Sequence, residues 1–315
     1  MSLTIGVDIG GTKVLGGVVD VDGTVIATAR RDTPASDTAA TLDRIVDVIN
    51  ELSAAHRIEA VGIGAAGWID SKRSTVYYAP NLAWRNEPLH DEIAAKVDVP
   101  IVVENDGNVA AWAEFQFGAA KHADDSMVLI TVGTGIGGGI VIGGELIRGA
   151  HGISGELGHV MAVRDGHPCG CGAKGCLEQY ASGKALTRFA QFEAATRPGD
   201  GEHLLSLVGG DPHKLTGPLV TKAAMAGDPI AVDAFSQIGY WLGRGLADLT
   251  QILDPQILVV GGGVIEAGEL LLAPARAAFA EGLPSRARFP VADIVAASMG
   301  NTAGVVGAAD LARRR

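Results

Sequence analysis

The order of apolar and polar positions along the chain predicts short buried strands that alternate with amphipathic helices. Residues 3–26 consist of an apolar strand, a Gly-Gly-Thr turn, a second strand and a hairpin at Asp22-Gly23. In residues 38–55 the apolar side chains recur at helical spacing and share one face. The same patterns predict further strands at 60–65, 101–103 and 256–260, and further helices at 107–117, 230–253 and 266–280. This alternation predicts an α/β fold with largely parallel sheets.

A second strand–turn–strand unit repeats the first one. Residues 127–147 carry an apolar strand, a glycine-rich turn, another strand and a hairpin at Gly143-Gly144, and residues 130–135 align with residues 7–12. We interpret the repeat as two lobes that each open with such a unit. The alternative is a chance match between two glycine-rich hairpins. Residues 193–217, rich in Gly, Pro and Asp, are predicted to form a surface excursion.

Composition and charge narrow the class of protein. The 315 residues include 44 glycines and are 47% hydrophobic, so a large core is expected. The net charge of −11 argues against a nucleic-acid partner. No apolar run approaches the roughly 20 residues that span a bilayer, and the first residues lack the features of a signal peptide. We therefore expect a cytoplasmic protein with no membrane partner. An odd count of three cysteines argues against a disulfide framework.

Three loops hold much of the glycine, at residues 10–13, 133–139 and 261–263. The second contains G-x-G-x-x-G, but a strand follows it instead of a helix, which argues against a dinucleotide fold. Each loop directly follows an apolar strand, and glycine lets backbone N–H groups approach a phosphate, so we favour phosphate binding. The alternative for each loop is a tight hairpin. Asp8 precedes the first loop, where a carboxylate suits a Mg²⁺-bound water or caps the turn.

The three cysteines form one motif, C-x-C-x4-C, at Cys169, Cys171 and Cys176. Structural zinc usually takes four ligands, commonly three Cys and one His, so this motif predicts a zinc site. His159 and His167 are both candidates for the fourth ligand. The alternative is free buried cysteine or a redox pair.

Three carboxylates stand at places that suit catalysis or recognition. Asp106 follows a short buried strand and precedes a helix, a position for a general base or for a helix N-cap. Glu156 and Glu178 lie at the two ends of the cysteine segment. Carboxylates held beside a metal-braced loop suit recognition of vicinal hydroxyls, and a solvated surface is the alternative.

Taken together, these segments resemble the ROK family of sugar kinases and repressors over nearly the whole chain. The segments that carry the resemblance are VDIGGTK (7–13), GAAGWID (64–70), PNL (80–82), ENDGN (104–108), TVGTGIGGGIV (131–141), GELGH (155–159), CGCGAKGCLEQYASG (169–183) and VVGGGV (259–264). The resemblance implies an α/β, two-lobed actin-like ATPase fold with a ligand cleft between the lobes. The expected lobes are a small one, residues 1–114 joined by a C-terminal helix at 304–315, and a large one, residues 115–303, with a zinc segment at 159–176.

The resemblance also implies a role for each matching residue. Asp106 matches the catalytic base that takes the proton of the sugar 6-hydroxyl. Zinc ligands are matched by His159, Cys169, Cys171 and Cys176, which decides against His167. The sugar-binding positions are matched by Gly67, Asn81, Asn105, Asp106, Glu156, His159 and Glu178. The nucleotide-binding positions are matched by Gly10, Gly11, Thr12, Lys13, Gly133, Thr134, Gly135 and Gly262. We add Asp8 to this set because it precedes the first glycine loop.

Within the family the chain is most similar to the ATP-dependent glucokinases of actinobacteria. This implies phosphoryl transfer from ATP and Mg²⁺ to the 6-hydroxyl of glucose, beside a structural Zn²⁺, in a homo-oligomer (a dimer or a tetramer). Three alternatives remain open. They are a kinase for N-acetylglucosamine, N-acetylmannosamine or fructose, a sugar-sensing regulator without its DNA-binding domain, and polyphosphate in place of ATP.

Overall fold

The structure, a computed structural model, describes residues 2–197 and 199–314. The chain divides into two compact units. Unit 1 comprises Met1–Leu129, Gly138–Gly155 and Ala297–Arg315, and unit 2 comprises Ile130–Gly137 and Glu156–Ala296. Among the described residues, no helix is long and apolar enough to cross a membrane.

The described residues form three β-sheets. Their strands, in chain order, are β1 (Leu3–Ile9), β2 (Lys13–Val19), β3 (Val25–Asp32), β4 (Ile58–Ala65), β5 (Trp68–Ile69), β6 (Val76–Tyr78), β7 (Arg85–Glu87), β8 (Ile101–Asn105), β9 (Met127–Val132), β10 (Ile136–Ile142), β11 (Glu145–Leu146), β12 (Ile257–Gly261) and β13 (Asp293–Ala296). The helices are α1 (Thr38–Ala55), α2 (Leu89–Ala94), α3 (Asp106–Gln116), α4 (Glu178–Ala181), α5 (Gly183–Thr196), α6 (Glu202–Ser206), α7 (Gly217–Met225), α8 (Pro229–Leu253), α9 (Glu269–Gly282) and α10 (Ala303–Arg313).

A five-stranded sheet of order β3-β2-β1-β4-β8 lies in unit 1. Strand β1 pairs antiparallel with β2 through the Gly-Gly-Thr turn and parallel with β4, and β4 pairs parallel with β8. The central strands are buried, as expected for parallel strands covered on both faces. Because β1, β4 and β8 run in the same direction, Asp8 and Asn105 lie at the carboxyl-terminal edge of this sheet.

Helix α10 packs closely on the same sheet. A β-carbon on Gly6 would lie 1.8 Å from the carbonyl oxygen of Val305, and one on Gly62 would lie 1.8 Å from that of Ala308. Glycine in β1 and β4 therefore allows the helix backbone to approach the strands. The indole of Trp112 in α3 also donates a hydrogen bond of 2.9 Å to Asp310 of α10.

The second five-stranded sheet has the order β11-β10-β9-β12-β13. Its hairpin at Gly143 and Gly144 has positive φ at both residues, as a two-residue turn of type I′ requires. In unit 2, α8 packs against α9 at short range, because a β-carbon on Gly243 would lie 2.1 Å from the carbonyl oxygen of Ala275. The buried face of α8 includes Ile238, Leu242 and Leu246.

Most elements follow the predicted order, and two segments differ. The predicted helix at 266–280 is a 3-10 helix, Gly263–Ala267, followed by α9, because Gly268 with φ of +56° interrupts the α-helical backbone. Within residues 193–217 the chain is not only a surface excursion. It includes the end of α5 and the whole of α6, and it buries Leu204 and Leu215 completely or almost completely.

Candidate catalytic and metal-binding sites

The junction of β8 and α3 fixes the position of Asp106. Asn105 is the N-cap of α3, and its side-chain oxygen accepts a hydrogen bond from the Asn108 backbone at 3.0 Å. Asp106 is the first residue of the helix, and its Oδ1 accepts bonds from Gly107 N at 2.9 Å and from Asn105 Nδ2 at 3.1 Å. The alternative that Asp106 caps the helix is therefore wrong, since the neighbouring Asn105 has that role.

The buried carboxylate of Glu104 holds this junction in place. Its side chain is 1% exposed, and its Oε1 accepts hydrogen bonds of 3.0 Å from Asn105 N and from Asn108 Nδ2. Its Oε2 lies 3.0 Å from Arg73 Nε and 2.6 Å from Arg148 Nε. The two arginine partners and the two amide donors compensate for the free-energy cost of burying the Glu104 carboxylate. Glu104 therefore holds the chain that carries Asn105 and Asp106.

The other predicted sugar-binding residues of unit 1 lie near this junction or near the first glycine loop. Asn105 Nδ2 donates a hydrogen bond of 2.9 Å to the carbonyl oxygen of Gly67. Gly67 has φ of +140°, and a β-carbon there would lie 2.4 Å from the Tyr78 carbonyl oxygen, so glycine is required. Asn81 lies against Gly11, whose β-carbon position is 3.0 Å from Asn81 Cβ.

The first glycine loop is a turn between β1 and β2. Gly10 N donates to Lys13 O at 3.0 Å and closes the turn, whereas the backbone N–H groups of Gly11 and Thr12 have no acceptor among the described residues. Burial raises the pKa of Asp8, and the positive charge of Lys13 opposes that shift. A buried carboxylate beside free backbone donors is suited to a nucleotide phosphate with its divalent cation.

The second glycine loop lies in unit 2, at Gly133, Thr134 and Gly135. Gly133 N donates to Gly135 O at 2.9 Å, and Gly133 O accepts from Gly183 N at 2.8 Å, at the start of α5. Nothing lies within 4 Å of a β-carbon position on Gly133, so the loop backbone is open on that side. Gly262 has φ of +85° and lies against Val132. A β-carbon on Gly262 would lie 2.4 Å from the carbonyl oxygen of Val132. Substitution at Gly262 would therefore strain the backbone.

The three cysteines and one histidine form a compact cluster in unit 2. The ligand atoms of His159, Cys169, Cys171 and Cys176 all lie within 4.8 Å of one another. His159 Nδ1 lies 3.6 Å from Cys169 Sγ, and Cys171 Sγ lies 3.7 Å from Cys176 Sγ. The other candidate, His167, instead has its ring 5.4 Å from the ring of Tyr180.

The donor set of this cluster fits zinc. Three Cys and one His are a common ligand set for structural zinc, and four protein ligands leave no open position. Burial and the neighbouring thiols Cys169 and Cys171 raise the pKa of Cys176 to about 12, because an unneutralised thiolate among them is unfavourable. A divalent cation would remove that penalty. Positive φ at Gly172 and Gly175 gives the loop the reversals it needs to place its thiols together.

Two carboxylates contact the edge of this cluster. Glu178 Oε1 lies 3.8 Å from Cys169 Sγ, and its Oε2 accepts a hydrogen bond of 3.0 Å from Ile136 N. Glu156 Oε2 lies 3.8 Å from His159 Nε2, the ring nitrogen that does not face Cys169. The imidazole of His159 therefore has one nitrogen directed to the thiols and the other to a carboxylate.

Three residues of the Asp106 junction were missed by the sequence analysis: Glu104, Arg73 and Arg148. Glu104 lies within the predicted ENDGN segment, and the signal was a charged residue at the end of an otherwise apolar strand. The two arginines come from loops that are distant from it in sequence, so no local pattern identified them.

The comparisons with known proteins decide the family. The model of the ROK family matches residues 4–315. The chain belongs to the ROK family. It is 49% identical to a glucokinase from Streptomyces coelicolor over 99% of this chain and 98% of the relative. It also matches the crystal structure of a ROK family glucokinase from Streptomyces griseus in complex with glucose and AMPPNP, with a TM-score of 0.88, 48% identity and complete coverage of both chains. A ROK hexokinase from Thermus thermophilus matches with a TM-score of 0.81 and 33% identity, covering 99% of this chain and 98% of that one.

Membership of the ROK family confirms the predicted fold class. The mixed α/β chain with its two strand–turn–strand units has the actin-like ATPase fold of ROK sugar kinases. In this ROK chain, unit 1 brings together Gly67, Asn105 and Asp106, and places Asn81 beside the first glycine loop. Unit 2 brings together Glu156, His159, Glu178 and the cysteines.

Proposed function

We propose that this ROK protein transfers the γ-phosphoryl group of ATP to the 6-hydroxyl of glucose. The observation that carries the proposal is a carboxylate, Asp106, held at the first position of a helix by Asn105 and the Gly107 amide. The 49% identity to a Streptomyces glucokinase over nearly the whole chain supports glucose as the acceptor and ATP as the donor.

In the proposed reaction Asp106 acts as the general base. It accepts the proton of the sugar 6-hydroxyl while O6 attacks the γ-phosphorus, and the bond from that phosphorus to the bridging oxygen of ADP breaks. Phosphoryl transfer depends mainly on positioning and on stabilisation of charge. Two fixed contacts on Asp106 Oδ1 orient the carboxylate that accepts the proton.

We infer that sugar recognition uses amide, carboxylate and imidazole side chains. Asn105 and Asn81 offer amide groups, and Glu156, Glu178 and His159 offer acceptors or donors for hydroxyl groups. The rigid placement of these groups supports that role. Asn105 is fixed by its cap and Glu178 by Ile136 N. Gly67, whose carbonyl oxygen accepts from Asn105, keeps the Asn105 amide in one orientation.

We infer that the two glycine loops bind the phosphates of ATP. Gly11 and Thr12 offer backbone N–H groups, Lys13 offers a positive charge, and the loop at Gly133, Thr134 and Gly135 is open to an approaching ligand. Gly262 belongs to the proposed adenosine loop. Asp8 would hold Mg²⁺, which supplies neutralisation of the phosphate charge.

We infer that His159, Cys169, Cys171 and Cys176 hold a structural Zn²⁺. Its effect would be to brace the segment between Glu156 and Glu178, so that metal binding and sugar affinity depend on each other. His159 would bind the metal through Nδ1, the nitrogen that faces Cys169, and leave Nε2 for hydrogen bonding. Three reduced thiols also support a cytoplasmic location.

The division into two units supports the predicted lobes. We infer that unit 1 contains the small lobe predicted at residues 1–114 and 304–315, and that unit 2 is the main part of the large lobe predicted at 115–303. The bounds differ, because unit 1 also includes residues 115–129, 138–155 and 297–303. Helix α10 packs on β1 and β4, which supports its assignment to the small lobe.

The activity is tested by coupled ADP release with glucose, mannose, fructose, N-acetylglucosamine and N-acetylmannosamine, with ATP or polyphosphate as donor. We expect turnover with glucose and ATP to exceed every other pair. Sugar binding without ADP release for any sugar would support a regulator and contradict the kinase. A higher kcat/KM for another sugar would change the substrate and keep the reaction.

The role of Asp106 is tested by Asp106→Asn. We expect kcat to fall by about 10²–10⁴-fold because the proton acceptor is lost, while the glucose Kd and the Tm change little. The matched control is Asp37→Asn at the N-cap of α1, where the Asn side chain also accepts from Ala40 N, so kcat stays normal. Near-normal turnover of Asp106→Asn contradicts its role as the base.

The zinc site is tested by metal analysis of Cys171→Ser. We expect loss of zinc together with weaker sugar affinity, because one of four ligands is removed. The matched control is His167→Asn, which removes the histidine nearer to the cysteines in sequence and should keep the metal. An active Cys171→Ser protein without zinc contradicts a structural role for the metal.

A further inference from the structure

The strands β6 and β7 form an antiparallel hairpin, and residues 79–84, here called the Asn81 loop, connect them. The side chains of Leu82 and Trp84 are buried in the core of unit 1, whereas Asn81 is exposed. None of the residues that the structure describes forms a hydrogen bond with the Asn81 side chain. The position of the Asn81 amide therefore depends on the backbone of the loop.

The guanidinium group of Arg85 connects three points of this loop. Its Nη1 donates hydrogen bonds to the carbonyl oxygens of Ala79 at 3.0 Å, of Leu82 at 3.1 Å and of Trp84 at 2.5 Å. These carbonyl groups come from the beginning, the middle and the end of the Asn81 loop. Hydrogen bonds from a charged donor are about twice as strong as those between neutral groups. One cation therefore fixes the backbone of the whole loop.

The same guanidinium group packs on an aromatic side chain. Tyr78 lies opposite Arg85 in the register of the hairpin, and Arg85 Cζ lies 4.2 Å from the centroid of the Tyr78 ring. The Tyr78 ring lies 5.7 Å from the ring of Trp68, so it is itself held in place. A planar guanidinium group can stack on a ring while it donates hydrogen bonds, which suits arginine better than lysine. Arg85 is therefore restrained although it is exposed.

The Asn81 loop contacts two other proposed ligand-binding positions of unit 1. A β-carbon on Gly67 would lie 3.0 Å from Ala79 Cα, and Gly67 O is the acceptor that orients Asn105. A β-carbon on Gly11, in the first glycine loop, would lie 3.0 Å from Asn81 Cβ. The backbone of the loop is therefore packed closely against the proposed site, and its shape decides where the Asn81 amide lies.

We infer that Arg85 is a positioning residue for sugar binding, because it sets the backbone of the Asn81 loop and with it the place of the Asn81 amide. Arg85 acts through Asn81 and does not bind the sugar. The inference rests on the proposed function, in which Asn81 binds a hydroxyl group of glucose. An arginine that only stabilised the hairpin would change the Tm, whereas a positioning residue also changes a glucose affinity that depends on Asn81.

A double-mutant cycle in the full-length protein tests the inference, with the Kd for glucose measured by isothermal titration calorimetry. We expect Asn81→Ala to raise this Kd by about 3–10-fold, because one hydrogen bond to the sugar is lost. Arg85→Met keeps most of the length of the side chain and removes every donor, and it should raise the Kd by a similar factor. In the double variant the second change should add less than about twofold, because both changes remove the same contact.

Two further variants separate positioning from stability. Arg85→Lys should recover part of the glucose affinity, because an ammonium group can still donate to carbonyl oxygens. The matched control is Arg44→Met, an arginine of α1 whose ion pair with Asp47 lies outside the proposed site, and its glucose Kd should stay normal. Thermal unfolding establishes that each variant is folded.

The kinetic effect of Arg85→Met should be a rise in the KM for glucose. We expect kcat at saturating glucose to stay near the wild-type value, because the bonds that orient Asp106 come from Asn105 and Gly107. A fall in kcat with an unchanged KM for glucose would contradict a role in sugar binding.

The results distinguish a failure of this inference from a failure of the proposed site. The inference alone is wrong if Asn81→Ala weakens glucose binding and Arg85→Met lowers only the Tm, or if the losses of the two variants add fully. If the wild-type chain binds no glucose, or if Asn81→Ala binds it as the wild type does, the proposed sugar contact is wrong and the inference is overturned with it.

Discussion

Replacing Glu104 by glutamine removes one negative charge near Asp106, the proposed catalytic base, and leaves the shape of the side chain nearly unchanged. The amide oxygen of glutamine can still accept from Asn105 N and Asn108 Nδ2. The amide NH₂ group then faces the guanidinium groups of Arg73 and Arg148, and these groups are all donors. The two arginines lose their counterion, and the chain that carries Asp106 loses its anchor.

The expected loss of stability follows from the burial of this ion pair. Removing one partner of a buried pair costs about 3–5 kcal/mol. We expect about 3 kcal/mol here, at the lower end of that range, because the Arg73 side chain is 31% exposed and can turn to solvent. Arg148 is less free, since it also donates to the carbonyl oxygens of Asp70 and Ser71. For a unit of this size, 3 kcal/mol lowers the Tm by about 6–12 °C.

The expected loss of activity comes from displacement of Asp106, the proposed base. A shift of about 1 Å in a catalytic group can cost about 10²-fold in rate. We expect Glu104→Gln to lower kcat by about 10–100-fold and to leave the KM for ATP unchanged. Glu104→Asp keeps the charge on a shorter side chain and should recover part of kcat. Steady-state ADP release below the Tm of each variant measures both parameters.

The matched control is Glu114→Gln in α3, the helix that Asp106 begins. Glu114 is also 1% exposed and accepts from the backbone of Ala119, Ser298 and Met299, but it contacts none of the proposed site residues. Its loss should lower the Tm and preserve kcat. Equal kcat losses in the two variants would refute a specific positioning role for Glu104, and so would a normal kcat in Glu104→Gln.

Two other expectations test the surroundings of the site. Asp8→Asn should abolish turnover yet raise the Tm at neutral pH, because burial raises the pKa of Asp8 and its charged form is unfavourable. The stability that protonated Asp8 contributes is fully present below its ordinary pKa of 3.8 and is lost as pH rises through the raised pKa. The Tm gain of Asp8→Asn over the wild type should therefore shrink on acidification. A Tm of Asp8→Asn below that of the wild type at pH 7 contradicts this reasoning. Gly62→Ala should lower the Tm, since its β-carbon would lie 1.8 Å from Ala308 O, with a cost of about 1–3 kcal/mol. The control in the same thermal unfolding measurement is Gly199→Ala, because nothing lies within 4 Å of a β-carbon on Gly199.

Local patterns were enough to predict much of the fold. The helix predicted at residues 38–55 has those bounds, because its apolar face and the cap at Asp37 both act within a few residues. The hairpins at Gly23 and at Gly143-Gly144 have the positive φ that their glycines allow. The sheet β5-β6-β7 was not predicted, since strands of two or three residues are too short for a periodic pattern.

The two candidate sites also differ in how far local sequence patterns predict them. The cysteine cluster is local in sequence, so its spacing predicted which thiols meet, although spacing alone left His159 and His167 both open. The anchor of Asp106 is not local, because Glu104 meets Arg73 and Arg148 through contacts that close long loops of chain. No periodicity identifies such a pair.

The sequence by itself determined the family, the order of strands and helices, the glycine turns and the cysteine motif, because backbone sterics and side-chain periodicity act over short distances. Only the tertiary structure decided that Asn105, and not Asp106, caps α3, and that Glu104 is buried between two arginines. Each depends on which distant segments pack together, and that is settled when the whole chain excludes water.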